Sequence, residues 1–443
     1  MARKRLMKLT VYSIPLTIPT KLYIPLLIAT LAGAGSTARG QAVRYCDSTW
    51  SDAVKSVQLC RDGIEQEKPT LTLDNDGTSG ERLSLSFDLL EEQPQDLRYR
   101  FIHCDRAWHA DELEPHEYYN GFEEQRIDDY RSSFTTLQPY IHYHTVFPTE
   151  YSRFTLSGNY VVAVYRYDVP DSILLTRRFY VNENLLEMTL TVERAASGGA
   201  LHNDQEVSLT IEGLRRDAIG TQMMLRPEYL HPWVQQNGRI DNMRELPFSG
   251  YAAGKLCYRW ADANRFAGGN NYRYFDISNL RAPIYNVHRI ERYGGETHVM
   301  LRPEENRSRK AFMTEEGLNG GMKIHVWDRN DATVEADYAW VHFTLPMDRP
   351  VLDGSIHIVG ALTEWSLDDA SRMEWNSEFR TYTCRLFLKQ GYYAYQLLFL
   401  PTGGDEGRTA LLEGDHSETP NRYHVYVYAR LPGERYDRLI GVR

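Results

Sequence analysis

RYRFIHCDRAWHADELEPHEYYNGFEEQRIDDYRSSFTT, residues 98–136, holds two patterns in one run. Its opening alternates. Tyr99, Phe101 and His103 fall on one face and Arg100, Ile102 and Cys104 on the other, which is the period of a strand. Beyond Cys104 the alternation stops, and a long loop rich in Asp, Glu, Tyr, Asn and Gly begins. Long irregular loops in strand-rich chains usually serve a function, although such a loop can equally be one that covers only its own sandwich.

The same period recurs outward from this stretch. TLTL (70–73) and LSLSFDLL (83–90) read as strands joined by DNDGTSGE. Asp74, Asp76 and Gly77 in that join lack the ligand ladder of a calcium loop and read as a turn. FTLSGNYVVAVYRYD (154–168) reads as strand, turn, strand, with Tyr160, Val162 and Val164 on one face; LLTRRFYV (174–181) closes the unit. A second set starts with MTLTVE (188–193) and EVSLTIE (206–212), where Val207, Leu209 and Ile211 point inward. It continues through KLCYRW, NYRYFDI, HVMLR, MKIHVWD and YAWVHFTL. SIHIVG, RTYTCRLFL, YYAYQLLFL and RYHVYVYA form a third set. Short strands separated by Gly- and Asn-rich turns predict a mainly β chain of about three tandem immunoglobulin-like β-sandwich domains. The expected boundaries are a signal peptide over 1–40, an N-terminal extension over 41–63, and domains over 64–184, 185–347 and 350–443. LPMDRP (345–350) is the linker between the last two.

Arg3, Lys4, Arg5 and Lys8 precede LYIPLLIATLAGAG (22–35), an apolar run short for a bilayer span, so residues 1–40 read as an export signal. No lipobox precedes Cys46, and no other window reads as a transmembrane segment. The net charge is −10, and the basic residues of 1–40 would leave with the signal. So acidic a chain repels phosphate backbones, which argues against nucleic acid as a partner. There are five cysteines. In an oxidising compartment Cys46 and Cys60 are a candidate disulfide, while Cys104 and Cys384 read as buried thiols. No C-x-x-C spacing supports thiol redox chemistry.

Motifs of catalysis are missing: no H-E-x-x-H, Walker A loop, dinucleotide fingerprint or nucleophile elbow. His142 and His144, and His103 and His109, are near one another in sequence but have no further ligand at metal spacing, and read as satisfied polar residues. Glu112, Glu114, Glu117, Glu123, Glu124, Asp128 and Asp129 could include a glycosidase pair, but a dense acidic loop more commonly pairs with arginines. No catalytic residue, metal, cofactor or small-molecule substrate is expected.

IHCDRAW (102–108), YYNGFEE (118–124) and DDYRSSFTTLQPYIHYHTVFP (128–148) resemble the first domain of the type IX secretion system plug family. FDISNLRAPIYNVHRIE (275–291), LRPEENRSR (301–309), ADYAWVHFTL (336–345) and LEGDHSETPNRYHVYVYARLPGERYDRLIG (412–441) continue the resemblance in order. It implies a non-enzymatic protein on the periplasmic face of the outer membrane, partnered by the translocon barrel whose periplasmic mouth it closes. Tyr118, Tyr119 and Phe122 are the expected contact anchors. The third set, with GALTEW after its first strand, also resembles starch- and glycogen-binding modules. There Trp365 matches a sugar-stacking position and Trp375 could assist, but no Trp follows YQLLFL where that family places a second ring. A carbohydrate-binding protein and an exported hydrolase are thus the alternatives. A second exposed ring near Trp365 would favour the first, and two carboxylates at catalytic separation the second.

Overall fold

The computed structural model describes residues 45–443, apart from 65–66, 75–76, 79, 196–201, 216–224 and 315–316. The expected signal peptide lies outside the described residues, as does Asp76 of the turn after TLTL. The described chain belongs to one compact unit, Ala42–Arg443. It is mainly β, and no described helix is long and apolar enough to cross a membrane.

The first sandwich pairs two sheets. One runs Gly77–Thr78, Thr70–Asp74, Val169–Asn182, Gly158–Arg166, Leu97–Cys104, Gln125–Arg126. The other runs Val54–Arg61, Leu83–Leu89, Ile141–Phe147, Asp129–Ser132. Period-two alternation decides what each strand buries. Tyr160, Val162 and Val164 enter the core between the sheets with Tyr99, Phe101 and Phe87. Phe101 lies at its centre, with ring centroids 4.9 Å from Tyr119, Phe147 and Phe154. Such aromatic pairs each add about 0.5–1.5 kcal/mol beyond the area they bury.

The remaining chain is not divided linearly at the expected linker. In the second sandwich Leu186–Arg194, Asp204–Leu214, Lys255–Tyr258 and Gly250–Ala252 form one sheet, and Arg265–Ala267 adds to it. The facing sheet runs Arg244–Glu245, Leu230–Gln236, Tyr423–Ala429, Arg438–Val442. RYHVYVYA therefore pairs with a strand nearly 200 residues upstream: Leu230 lies opposite Ala429 and Gln236 opposite Tyr423. The strands Arg273–Asp276, Val287–Tyr293, Glu296–Leu301, Met322–Ile324 and Tyr338–Pro346 join Gly354–Val359, Arg372–Asn376, Thr381–Lys389 and Gly391–Pro401 instead. Their nine-stranded sheet folds on itself, because Phe275 and Tyr395 from one arm pack on Phe343 from the other at 5.6 and 5.3 Å. Residues on both sides of the expected 345–350 linker thus share one hydrophobic core, and the chain returns from the third sandwich to complete the second.

The sandwiches also share buried surface. Gly158–Arg166 is buried on both faces: the odd-numbered Val161 faces a smaller cluster with Trp108, Tyr180, Tyr426 and Tyr428. Tyr180 and Tyr426 stack at 4.2 Å, and the Tyr428 hydroxyl donates to Asn159 Oδ1 at 2.7 Å. The first sandwich meets the third through Tyr140, whose hydroxyl donates to the Ala336 carbonyl at 2.9 Å and whose ring lies 5.5 Å from Tyr338.

Candidate functional site

The loop after Cys104 is built in three parts. The first, CDRAW, is a tight turn around Asp105. Its Oδ1 accepts from the backbone N–H of Ala107 at 2.8 Å and of His109 at 2.9 Å. The turn places Trp108 in the left-handed region (φ 69°), a conformation that costs energy for a non-glycine residue and persists only where packing enforces it. Packing does so here: Trp108 is buried edge-on to Tyr180 at 5.4 Å, with the Arg178 guanidinium 4.4 Å from its ring. Arg106 donates from its backbone N–H and its Nη1 to the buried Asp437 at 3.0 and 2.9 Å. CDRAW and YDRLIG, 331 residues apart, are thereby one contact.

The second part seals the end of the first sandwich. His103 is buried with Nδ1 2.5 Å from Asp111 and Nε2 3.0 Å from the Ser157 carbonyl. Gly158 is required there: a Cβ on it would sit 2.6 Å from His103 Nε2, and its φ is +139°. A single helical turn, Pro115–Tyr118, follows. Its Glu117 meets Arg435 at 2.7 Å, and the backbone N–H of Glu114, then Arg435, hold its carboxyl below the usual range. Tyr118 and Tyr119 are each only 4% exposed. The Tyr118 hydroxyl donates to the Phe101 carbonyl at 2.9 Å, and Tyr119 packs on Phe101 and Phe154. The expectation that these two tyrosines reach a partner is corrected: they anchor the loop to its own core.

Phe122, the third expected anchor, is 84% exposed. It follows the ribbon in which Asn120 pairs with Arg153 and Tyr119 with Phe154. A Cβ on Gly121 would lie 2.8 Å from Ser152 Cβ, so the turn bearing Phe122 rests on the turn bearing Tyr151, itself 86% exposed. Two large rings on adjoining turns thus form an uncovered aromatic tip. Tyr151 was missed in the sequence because PTEYSRF has no periodicity; its one signal is a large ring in a Pro-led turn.

The third part docks on the third sandwich, where Arg131 meets Asp331 at 2.6 Å and the Leu137 N–H donates to Asp337 at 2.8 Å. The histidine pairs are separately occupied. His142 lies 2.7 Å from Asp88 and His144 2.9 Å from Asp129. No group of three potential metal ligands occurs among the described residues.

Cys46 and Cys60 form no disulfide. Cys46 precedes Ser48–Thr49, which pairs with one sheet of the first sandwich, whereas Cys60 lies opposite Ser84 in the other. Trp365 is half-buried and wedged between glycines: a Cβ on Gly238 or Gly320 would lie 2.2 or 2.3 Å from its ring. It also meets Tyr272 edge-on at 6.2 Å. Trp375 packs on Tyr382 at 5.0 Å. Both rings thus have packing partners within the protein.

Comparison with known proteins places these features. Residues 54–183 match the model of the type 9 secretion system plug protein 1st domain, a description of a secretion component and not of an enzyme. No curated protein matches the sequence. The crystal structure of a hypothetical protein from Parabacteroides merdae ATCC 43184 is similar, with a TM-score of 0.85 and 32% identity over 90% of this chain and 99% of that one. Escherichia coli alpha-2-macroglobulin activated by porcine elastase aligns with 87% of this chain and 31% of its own at 9% identity; its TM-score of 0.18 carries no argument. The matched segment, residues 54–183, contains the turn around Asp105, the sealed loop and the aromatic tip, and it is this segment that is similar to the type 9 secretion system plug protein 1st domain.

Proposed function

We propose that this protein closes the periplasmic opening of the type 9 outer-membrane translocon barrel when no cargo is passing. The observation that carries the reading is the family match over 54–183, the segment that bears the exposed Phe122 and Tyr151. A pore wide enough for folded cargo leaks unless a stiff body covers it. Three sandwiches interlocked by a returning chain suit that task, because no single one can swing away without breaking buried contacts. Exposed aromatic side chains are typical anchors of reversible protein contacts, and the tip is the proposed contact with the barrel. The protein would act from the periplasm without catalysis. Deleting its gene tests this: entry of large polar antibiotics is expected to rise while cargo export continues. An unchanged barrier would refute occlusion.

A further inference from the structure

Where the three sandwiches meet, a cleft of about 280 Å³ opens, and its charged groups are unequally matched. The first sandwich lines it with Lys68, Arg177 and Arg178, the second with Arg422 and His424, the third with Glu364 and Trp365. Arg177 donates to Glu364 and, at 3.0 Å, to the Ser48 carbonyl. Arg178 donates to the Tyr45 carbonyl, and its backbone N–H to Asp47 Oδ1 at 2.6 Å. Glu67 also lines the cleft and faces Arg61 at 3.7 Å, but Arg61 meets Glu81 more closely, at 2.5 Å. Glu364 thus stands against Arg177, whereas Asp47 binds only the backbone of Arg178 and its charge acts on Lys68. Lys68 and Arg422 form no ion pair among the described residues, and the charge of each acts on His424. In a chain of net charge −10, a cleft with excess cations is not a consequence of composition.

The backbone also marks the place. Glu364 and Trp365 are consecutive non-glycine residues in the left-handed region, φ 55° and 60°. Strain of this kind concentrates at ligand clamps and switches. At this position the Glu364 carboxylate accepts from Arg177.

We propose that this cleft binds a small oxyanion, a carboxylate or a phosphate group, held by Lys68 and Arg422 beside His424. Arginine offers two parallel donors to such a group, and lysine a compact charge. Because Lys68 belongs to the first sandwich and Arg422 to the second, the anion would join them. The electrostatics of the cleft agree. Burial, then Lys68 and Arg422, push His424 down to about 4, and burial pushes Lys68 down to about 8 despite Asp47. Burial, which disfavours the charged form, leads both shifts, and an anion bound beside these groups would oppose it.

The test uses the mature chain with inorganic phosphate and with acetate, against chloride at equal ionic strength. The His424 titration is followed by NMR, together with the melting temperature. At least one oxyanion is expected to raise the His424 midpoint and the melting temperature saturably. Which probe does so separates phosphoryl from carboxylate ligands. Arg422→Gln and Lys68→Gln are each expected to weaken binding by about tenfold, the loss of one charge-assisted hydrogen bond. If a variant fails to fold, the titration of the unaltered chain decides. A His424 midpoint that neither oxyanion moves, or an effect that survives in the folded double variant, would overturn the proposal.

Discussion

Asp88 and Lys389, 301 residues apart, meet at 2.6 Å with both side chains buried, joining the first sandwich to the third. The carboxylate also accepts from the Tyr338 hydroxyl at 2.6 Å and contacts His142 at 2.7 Å. Lys389 further donates to the Thr333 carbonyl at 2.7 Å and lies 4.2 Å from the centre of the Tyr140 ring. Burial pulls the Lys389 pKa below its ordinary value while Asp88 opposes the pull. A buried charge stripped of its partner is costly. Lys389→Met is therefore expected to destabilise the protein by about 3–5 kcal/mol in denaturant titration, and Asp88→Asn with Lys389→Met to recover much of the loss. Additive losses would show that the pair is not coupled.

The returning chain sets the unit of folding. A fragment of residues 350–443 lacks Tyr338–Pro346, the partner of Thr381–Lys389, and Leu230–Gln236, the partner of Tyr423–Ala429. It is expected to be unfolded by far-UV circular dichroism and amide NMR, whereas residues 185–443 keep both pairings and retain sheet signal. A cooperatively folded 350–443 fragment would contradict this topology.

His424 gives a pH dependence of known sign. Its folded pKa is about 4 against about 6.5 unfolded, so between these values the unfolded chain binds more protons. Stability is accordingly present above pH 6.5 and lost as pH falls toward 4, by on the order of 3 kcal/mol from this group. In buffers without oxyanions, His424→Gln is expected to flatten that part of the stability curve. Identical acid profiles would show that His424 is not so placed.

Strands were legible in the sequence because alternation is local: Tyr160, Val162 and Val164 point into the core as their period requires. Their grouping into domains was not. YAWVHFTL and RYHVYVYA read as strands wherever they pair, and nothing in either fixes a partner. The same limit governs the tip. Tyr118, Tyr119 and Phe122 are alike in composition and adjacent in sequence, yet a single helical turn sends two inward and leaves the third outside. Tyr151 and the cleft of Lys68 and Arg422 arise from segments distant in sequence, which no short pattern joins.

The proposed barrel contact is tested most directly by co-purification of the tagged chain from detergent-solubilised outer membranes, comparing it with Phe122→Asp plus Tyr151→Asp. Both rings are exposed, so the variant is expected to fold and melt as the unaltered protein does. If they anchor the contact, placing unpaired charge there costs roughly 2–5 kcal/mol of binding. The unaltered chain is expected to carry the translocon barrel with it and the folded variant to lose it. A barrel that never co-purifies, or that the variant retains undiminished, would contradict the account.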